Sequence, residues 1–125
     1  MATVLVVDDE FGVAERFDAI LTDKGHRVLT AVNGKHGLEV LTLECADLVF
    51  LDFMMPVMDG GVMLEAMMAD SVYRDIPVVM MSPVLEATIA ERCSGYAAFM
   101  RKPFKFTQVT DFAEQLLRGS DPAGE

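Results

Sequence analysis

Leu48-Val49-Phe50-Leu51-Asp52-Phe53-Met54-Met55-Pro56-Val57-Met58-Asp59-Gly60 is the stretch that decides the fold. Its first four residues are apolar without alternation, the pattern of a strand buried on both faces in a parallel sheet. Asp52 then stands where the apolar run should continue. A carboxylate is costly to bury alone, which places it at the strand's carboxyl end, beside a cation or water. Pro56 stops regular structure, and Asp59-Gly60 reads as a turn before a helix. Open parallel sheets bind ligands at the carboxyl ends of their strands. Asp52 is therefore the candidate reactive group.

A second apolar run, Val4-Leu5-Val6-Val7, also ends in acid, at Asp8-Asp9-Glu10. Two such strands side by side gather Asp8, Asp9 and Asp52 at one sheet edge. Like charges so close raise one another's pKa unless a cation sits among them. A small cluster of hard oxygens suits Mg²⁺, which keeps several waters and takes only one or two carboxylates.

Outward from these two runs, strand-like and helix-like segments alternate, the mark of an α/β domain. Residues 3–7 form the first strand. Phe11, Ala14, Phe17 and Leu21 then recur at helical spacing, and Lys24-Gly25 ends that helix. Residues 26–31 hold a second strand around Val28-Leu29. Asn33-Gly34 turns into a helix carrying Leu38, Val40 and Leu41. Beyond the third strand, Leu48–Leu51, the residues Met63, Leu64, Met67 and Met68 predict another amphipathic helix. Ile76–Met81 is the fourth strand, with Pro77 near its start, where a missing N–H does least harm. A helix from about Val84 carries Leu85, Ile89 and Cys93 on one face and ends at Gly95. Ala97–Met100 is a short fifth strand. Phe106, Val109, Phe112, Ala113, Leu116 and Leu117 mark the last helix. Right-handed crossovers cover both faces of the sheet. Residues 1–118 are expected to form one domain and 119–125 a disordered tail, with no linker and no room for an output domain.

Composition narrows the function. At 125 residues, 52% apolar and 24% charged, the chain builds a real core and is not disordered. A net charge of −10 argues against nucleic acid and anionic membrane as direct partners. No apolar run approaches a membrane span, and MATVLVVDDE lacks a basic leader, so a cytoplasmic location is expected. Cys45 and Cys93 have no metal-ligand spacing and are expected to be reduced thiols filling apolar space near helix ends. The ten methionines sit mostly at apolar positions and read as core. His26 and His36 are expected to face solvent.

Asp8-Asp9, Asp52 with Met55-Pro56-x-Met58-Asp59-Gly60, Ser82, and Lys102-Pro103-Phe104 stand in one order on the expected elements. Together they resemble the response-regulator receiver domain, over residues 2–118. The resemblance implies a flavodoxin-like, doubly wound parallel sheet of five strands, order 2-1-3-4-5, with five helices. It implies that Asp52 accepts a phosphoryl group from the phosphohistidine of a histidine kinase or histidine phosphotransfer protein. Asp9, Asp52 and the Met54 backbone carbonyl would bind Mg²⁺ directly, and Asp8 through water. Lys102 would pair with a phosphoryl oxygen, and Ser82 would hydrogen-bond one after phosphorylation. Phe99 matches the aromatic switch position, and the Lys102-Pro103 peptide is implied to be cis. Phosphoryl transfer asks little of a protein beyond positioning and neutralised charge. The implied protein is a signalling domain and not an enzyme, although it assists its own phosphorylation and dephosphorylation. Its downstream protein target is unspecified, and it would be a monomer or weak homodimer.

Other readings stand beside these. Ser82-Pro83 also resembles a helix N-cap with proline at the first helical position. Phe99 also reads as plain core, and Lys102 as a surface cation. Ser82 replaces the commoner threonine, and Phe99 lacks a hydroxyl. Pro83 stands where the family has a small residue with a free N–H. The segment from Ser82 to Lys102 is slightly short, which is expected to distort the fourth helix. A haloacid-dehalogenase-type phosphatase would need an acid two residues after Asp52, and position 54 is methionine. A receiver-fold interaction module with little or no phosphorylation-driven switching would usually lack an acidic-pocket residue or the lysine, and none is lost. Flavin binding is disfavoured, because no Gly/Ser/Thr-rich loop follows the first strand.

Overall fold

Every expected strand and helix forms. The computed structural model describes residues 1–119. Its elements are β1 (Thr3–Val7), α1 (Phe11–Asp23), β2 (Arg27–Ala31), α2 (Gly34–Leu43), β3 (Leu48–Asp52), α3 (Gly60–Met68), β4 (Val78–Ser82), α4 (Glu86–Ala90), β5 (Ala98–Arg101) and α5 (Phe106–Gly119). The strands are all parallel, in the order β2-β1-β3-β4-β5. This is the doubly wound, flavodoxin-like sheet that the resemblance implied. The expected tail at 119–125 lies outside the described residues apart from Gly119, which ends α5.

The unbroken apolar runs conceal a period of two. Val4, Val6, Leu48, Phe50, Val79 and Met81 point into one core with Phe17, Val109 and Ala113 of α1 and α5. Leu5, Val7, Val49, Leu51 and Met80 point into the other, with Leu41, Met63, Leu64 and Ile89. Strands buried on both faces have no polar side to show, which is why no alternation appears in β3 or β4. Edge strand β2 is buried only at Ala31. Phe17 centres the first core, its ring 4.9 Å from that of Phe50 and 5.1 Å from that of Phe104.

Several boundaries and faces differ from expectation. Val13, Phe17 and Leu21, one row at i, i+4, are the buried residues of α1, and Phe11 is exposed at its first turn. Met68 is half-exposed at the end of α3. β4 begins at Val78, because Pro77 stands before the ladder and gives only its carbonyl, to the Val49 N–H. β5 runs one residue later than expected, Ala98–Arg101. The fourth helix is cut to five residues, Glu86–Ala90, with Leu85 as an exposed, extended N-cap. Ile89 still reaches the core and Cys93 packs beside it. The chain then turns through Gly95, at φ 102°, to dock the Ala97 N–H on the Val78 carbonyl. That return leaves no length for a longer helix.

The small titratable residues also shift from expectation. Cys45 is exposed and fills nothing, and Cys93 is half-buried. His26 and His36 are both half-buried, and each accepts a backbone N–H at Nδ1, from Ala2 at 3.3 Å and from Val32 at 3.1 Å. No described helix is long and apolar enough to cross a membrane.

Candidate functional site

Three strand ends build the site. Asp8 follows β1, is fixed by its N–H to the Ala31 carbonyl at 3.0 Å, and is buried. Asp52 ends β3 with only 4% of its surface exposed. Gly60 fixes the loop after it: its N–H reaches the Phe53 carbonyl at 2.9 Å, and a side chain there would collide with the Asp52 carbonyl. Asp8, Asp9 and Asp52 each offer a carboxylate oxygen within 4.8 Å of the others.

Lys102 closes the cluster from β5's end. Its N–H bonds the Ser82 carbonyl at 2.9 Å, and its peptide to Pro103 is cis. Its ammonium donates to Asp8 Oδ2 at 2.7 Å and lies 3.6 Å from Asp52 Oδ2 and 3.4 Å from Glu10 Oε1. It is no surface cation. Burial alone would lower its pKa. The hydrogen bond to Asp8 and the charges of Asp52, Asp8 and Glu10 together raise it.

Asp52 is the strained member. Burial, then the charge of Asp8, pushes its carboxyl up to about 7, with Asp9 adding and Lys102 opposing. Its Oδ1 is buried and, among the described residues, has no hydrogen-bond partner. Three hard carboxylates around an unpartnered buried oxygen form a donor set that fits a hard divalent cation. A cavity of about 470 Å³ opens here, lined by Asp9, Arg16, Asp52, Met54, Pro83 and Lys102 among others.

The remaining expected residues are less tightly gathered. Ser82 is fully buried at the end of β4, one step past the Met81 that pairs with Asp52. It does not cap a helix, since α4 begins later. Its hydroxyl accepts the Val84 N–H at 3.3 Å. Phe99 is half-buried against the α3 side of the core, its ring 6.4 Å from that of Tyr96. Met54 exposes its side chain at the cavity wall. Two contributors escaped the sequence reading. Glu10 was visible in the acidic run, but its reach to Lys102 was not. Arg101 donates Nε–H to the Pro83 carbonyl at 3.2 Å, a contact that no spacing announces.

The family model for the response regulator receiver domain matches residues 4–114. The chain belongs to this family. Receiver domains are signalling domains rather than enzymes of the ordinary kind. The receiver domain of a signal transduction histidine kinase from Syntrophus aciditrophicus superposes with a TM-score of 0.91 at 26% identity, covering 98% of this chain and 94% of that one. Chemotaxis response regulator CheY4 of Vibrio cholerae gives a TM-score of 0.87 at 26% identity, covering 93% and 98%. Sporulation initiation phosphotransferase F of Bacillus subtilis is 28% identical over 116 residues, 91% of this chain and 92% of that protein. A probable transcriptional regulator, ycf27, of Cyanophora paradoxa is 31% identical over 122 residues. This receiver spans about half the length of that relative, 49%.

Proposed function

We propose that this receiver domain takes a phosphoryl group onto Asp52 from the phosphohistidine of a histidine kinase or histidine phosphotransfer protein, and changes a protein-binding face in response. The supporting observation is the buried Asp52 carboxylate, one oxygen unpartnered, beside two further carboxylates and Lys102. An Asp52 oxygen attacks phosphorus and the P–N bond to the donor imidazole breaks. The electron pair returns to the ring nitrogen, which takes a proton. Asp9, Asp52 and the Met54 carbonyl would hold Mg²⁺, with Asp8 behind them. When bound, the ion neutralises carboxylate charge and charge on the transferring group. Lys102 steadies one phosphoryl oxygen and Ser82 hydrogen-bonds another. Phe99 follows Ser82 and carries the change to the β5 edge. Residues 1–118 form the unit that does this, as a cytoplasmic monomer or weak homodimer whose own surface contacts protein and neither nucleic acid nor membrane.

A receiver-fold module with weak switching is the second reading. It is favoured by Pro83, which offers no N–H to the cavity that it lines. Incubation with phosphoramidate, with Mg²⁺ or with EDTA, followed by intact mass, tests the first. A single phosphoryl adduct that requires Mg²⁺ supports it. No adduct at any Mg²⁺ concentration overturns it.

A further inference from the structure

Both ends of one peptide unit beside Asp52 are held. The Pro83–Val84 peptide gives its carbonyl to Arg101 Nε–H at 3.2 Å and its N–H to Ser82 Oγ at 3.3 Å. Ser82 and Arg101 face each other in the β4–β5 register, and the Arg101 guanidinium reaches the residue after its own strand partner. Pro83 lines the cavity that holds Asp52, whereas Arg101 stands outside it on the edge strand. The carbonyl is thus held by a side chain that does not line the Asp52 cavity. Pro83 has no N–H. The next amide donor along this loop is Val84, and it is spent on Ser82. Tyr96 Oη donates to Glu86 Oε2 at 3.1 Å and so ties the start of α4 to the chain before β5.

We propose that Arg101 is a positioning residue: through the Pro83 carbonyl it clamps the Pro83–Val84 peptide, and with it the Ser82 hydroxyl, in the resting arrangement. When a negatively charged group arrives on Asp52, Ser82 turns toward it only as the clamp lets go. Release also frees the Val84 N–H, which takes the place of the donor that Pro83 lacks. Arg101 therefore sets how far the loop follows Asp52, and it acts without touching the reacting atoms. This rests on the phosphoacceptor reading above.

The full chain with Mg²⁺ and beryllium fluoride, followed by NMR, tests it. In the resting protein the Arg101 Nε–H should be protected from exchange, and lose that protection on beryllofluoride binding. Arg101→Met removes the donor and keeps the aliphatic stem. It should bind beryllofluoride about fivefold more tightly, the scale of one net hydrogen bond, and enlarge the shifts at Val84 and Phe99. In a Pro83→Ala background, where residue 83 has its own N–H, the gain should shrink. Unchanged or weaker affinity in Arg101→Met, with parental shifts at Val84, overturns the clamp. If neither protein binds beryllofluoride, the phosphoacceptor reading fails. The clamp is then decided by Arg101 Nε–H exchange in the parent and by the Val84 amide shift in unliganded Arg101→Met, and an unprotected Nε–H with a parental Val84 shift overturns it.

Discussion

Asp52, the proposed phosphoacceptor, carries most of the internal conflict of this molecule. Its pKa is raised by burial and by Asp8, to about 7. A carboxyl whose folded pKa lies above its unfolded value contributes stability that is fully present below the ordinary carboxylate range, and that contribution is lost as pH rises through about 7. Metal-free protein should therefore melt at a higher temperature at pH 5 than at pH 8. Asp52→Asn should melt above the parent at pH 8 in EDTA, with the gap closing toward pH 5 and narrowing when Mg²⁺ is restored. Parallel melting curves for parent and variant across that range would remove Asp52 as the source of the conflict. The three aspartates could be read from the residues, because a carboxylate that interrupts a buried run must be placed somewhere special. Lys102 could not be paired with Asp8 by spacing, since 94 positions separate them. Only the family's motif order joined them. The Arg101 clamp was illegible, because a contact to a backbone carbonyl depends on the path of a loop.

The loops and helix ends are where pattern reading lost accuracy. β1, β3 and β4 were legible because fully buried strands leave continuous apolar runs. The fourth helix was not, because Leu85, Ile89 and Cys93 share a helical period that the short return to β5 does not let the chain use. The loop after Asp52 holds a second irregularity. Val57 has φ 69°, left-handed backbone that a β-branched side chain resists. Its side chain is exposed, so Val57→Gly loses little packing. That substitution should stabilise the fold by ~1 kcal/mol, the smaller end of the left-handed penalty, seen as a higher denaturant midpoint with an unchanged slope. A lower midpoint would show that the loop gains from the valine in some other way. Gly60→Ala should do the reverse. Its Cβ would push the Asp52 backbone, so both stability and Mg²⁺ affinity should fall, the latter read by calorimetry.

At the scale of the whole molecule, two cores hold one sheet, and the sheet gathers Asp8, Asp9, Asp52 and Lys102 at the ends of its strands. Phe17, fully buried between Phe50 and Phe104, couples the α1 side to the Lys102-Pro103-Phe104 segment. Phe17→Ala should cost about 3–5 kcal/mol in chemical denaturation. A loss under ~1 kcal/mol would mean that the core closes over the gap. The fold class was legible in full from alternating elements. The strand order came with the resemblance, since periodicity does not say which strands are neighbours.

Chemical marking of the acyl phosphate tests Asp52 as the phosphoacceptor. Protein treated with phosphoramidate and Mg²⁺ is reduced with borohydride, which converts an aspartyl phosphate to homoserine, and is then mapped by peptide mass spectrometry. The expected result is conversion at position 52 alone, dependent on Mg²⁺ and absent from Asp52→Asn. Conversion at Asp8 or Asp9, or marking of Asp52→Asn to the parental extent, would contradict it.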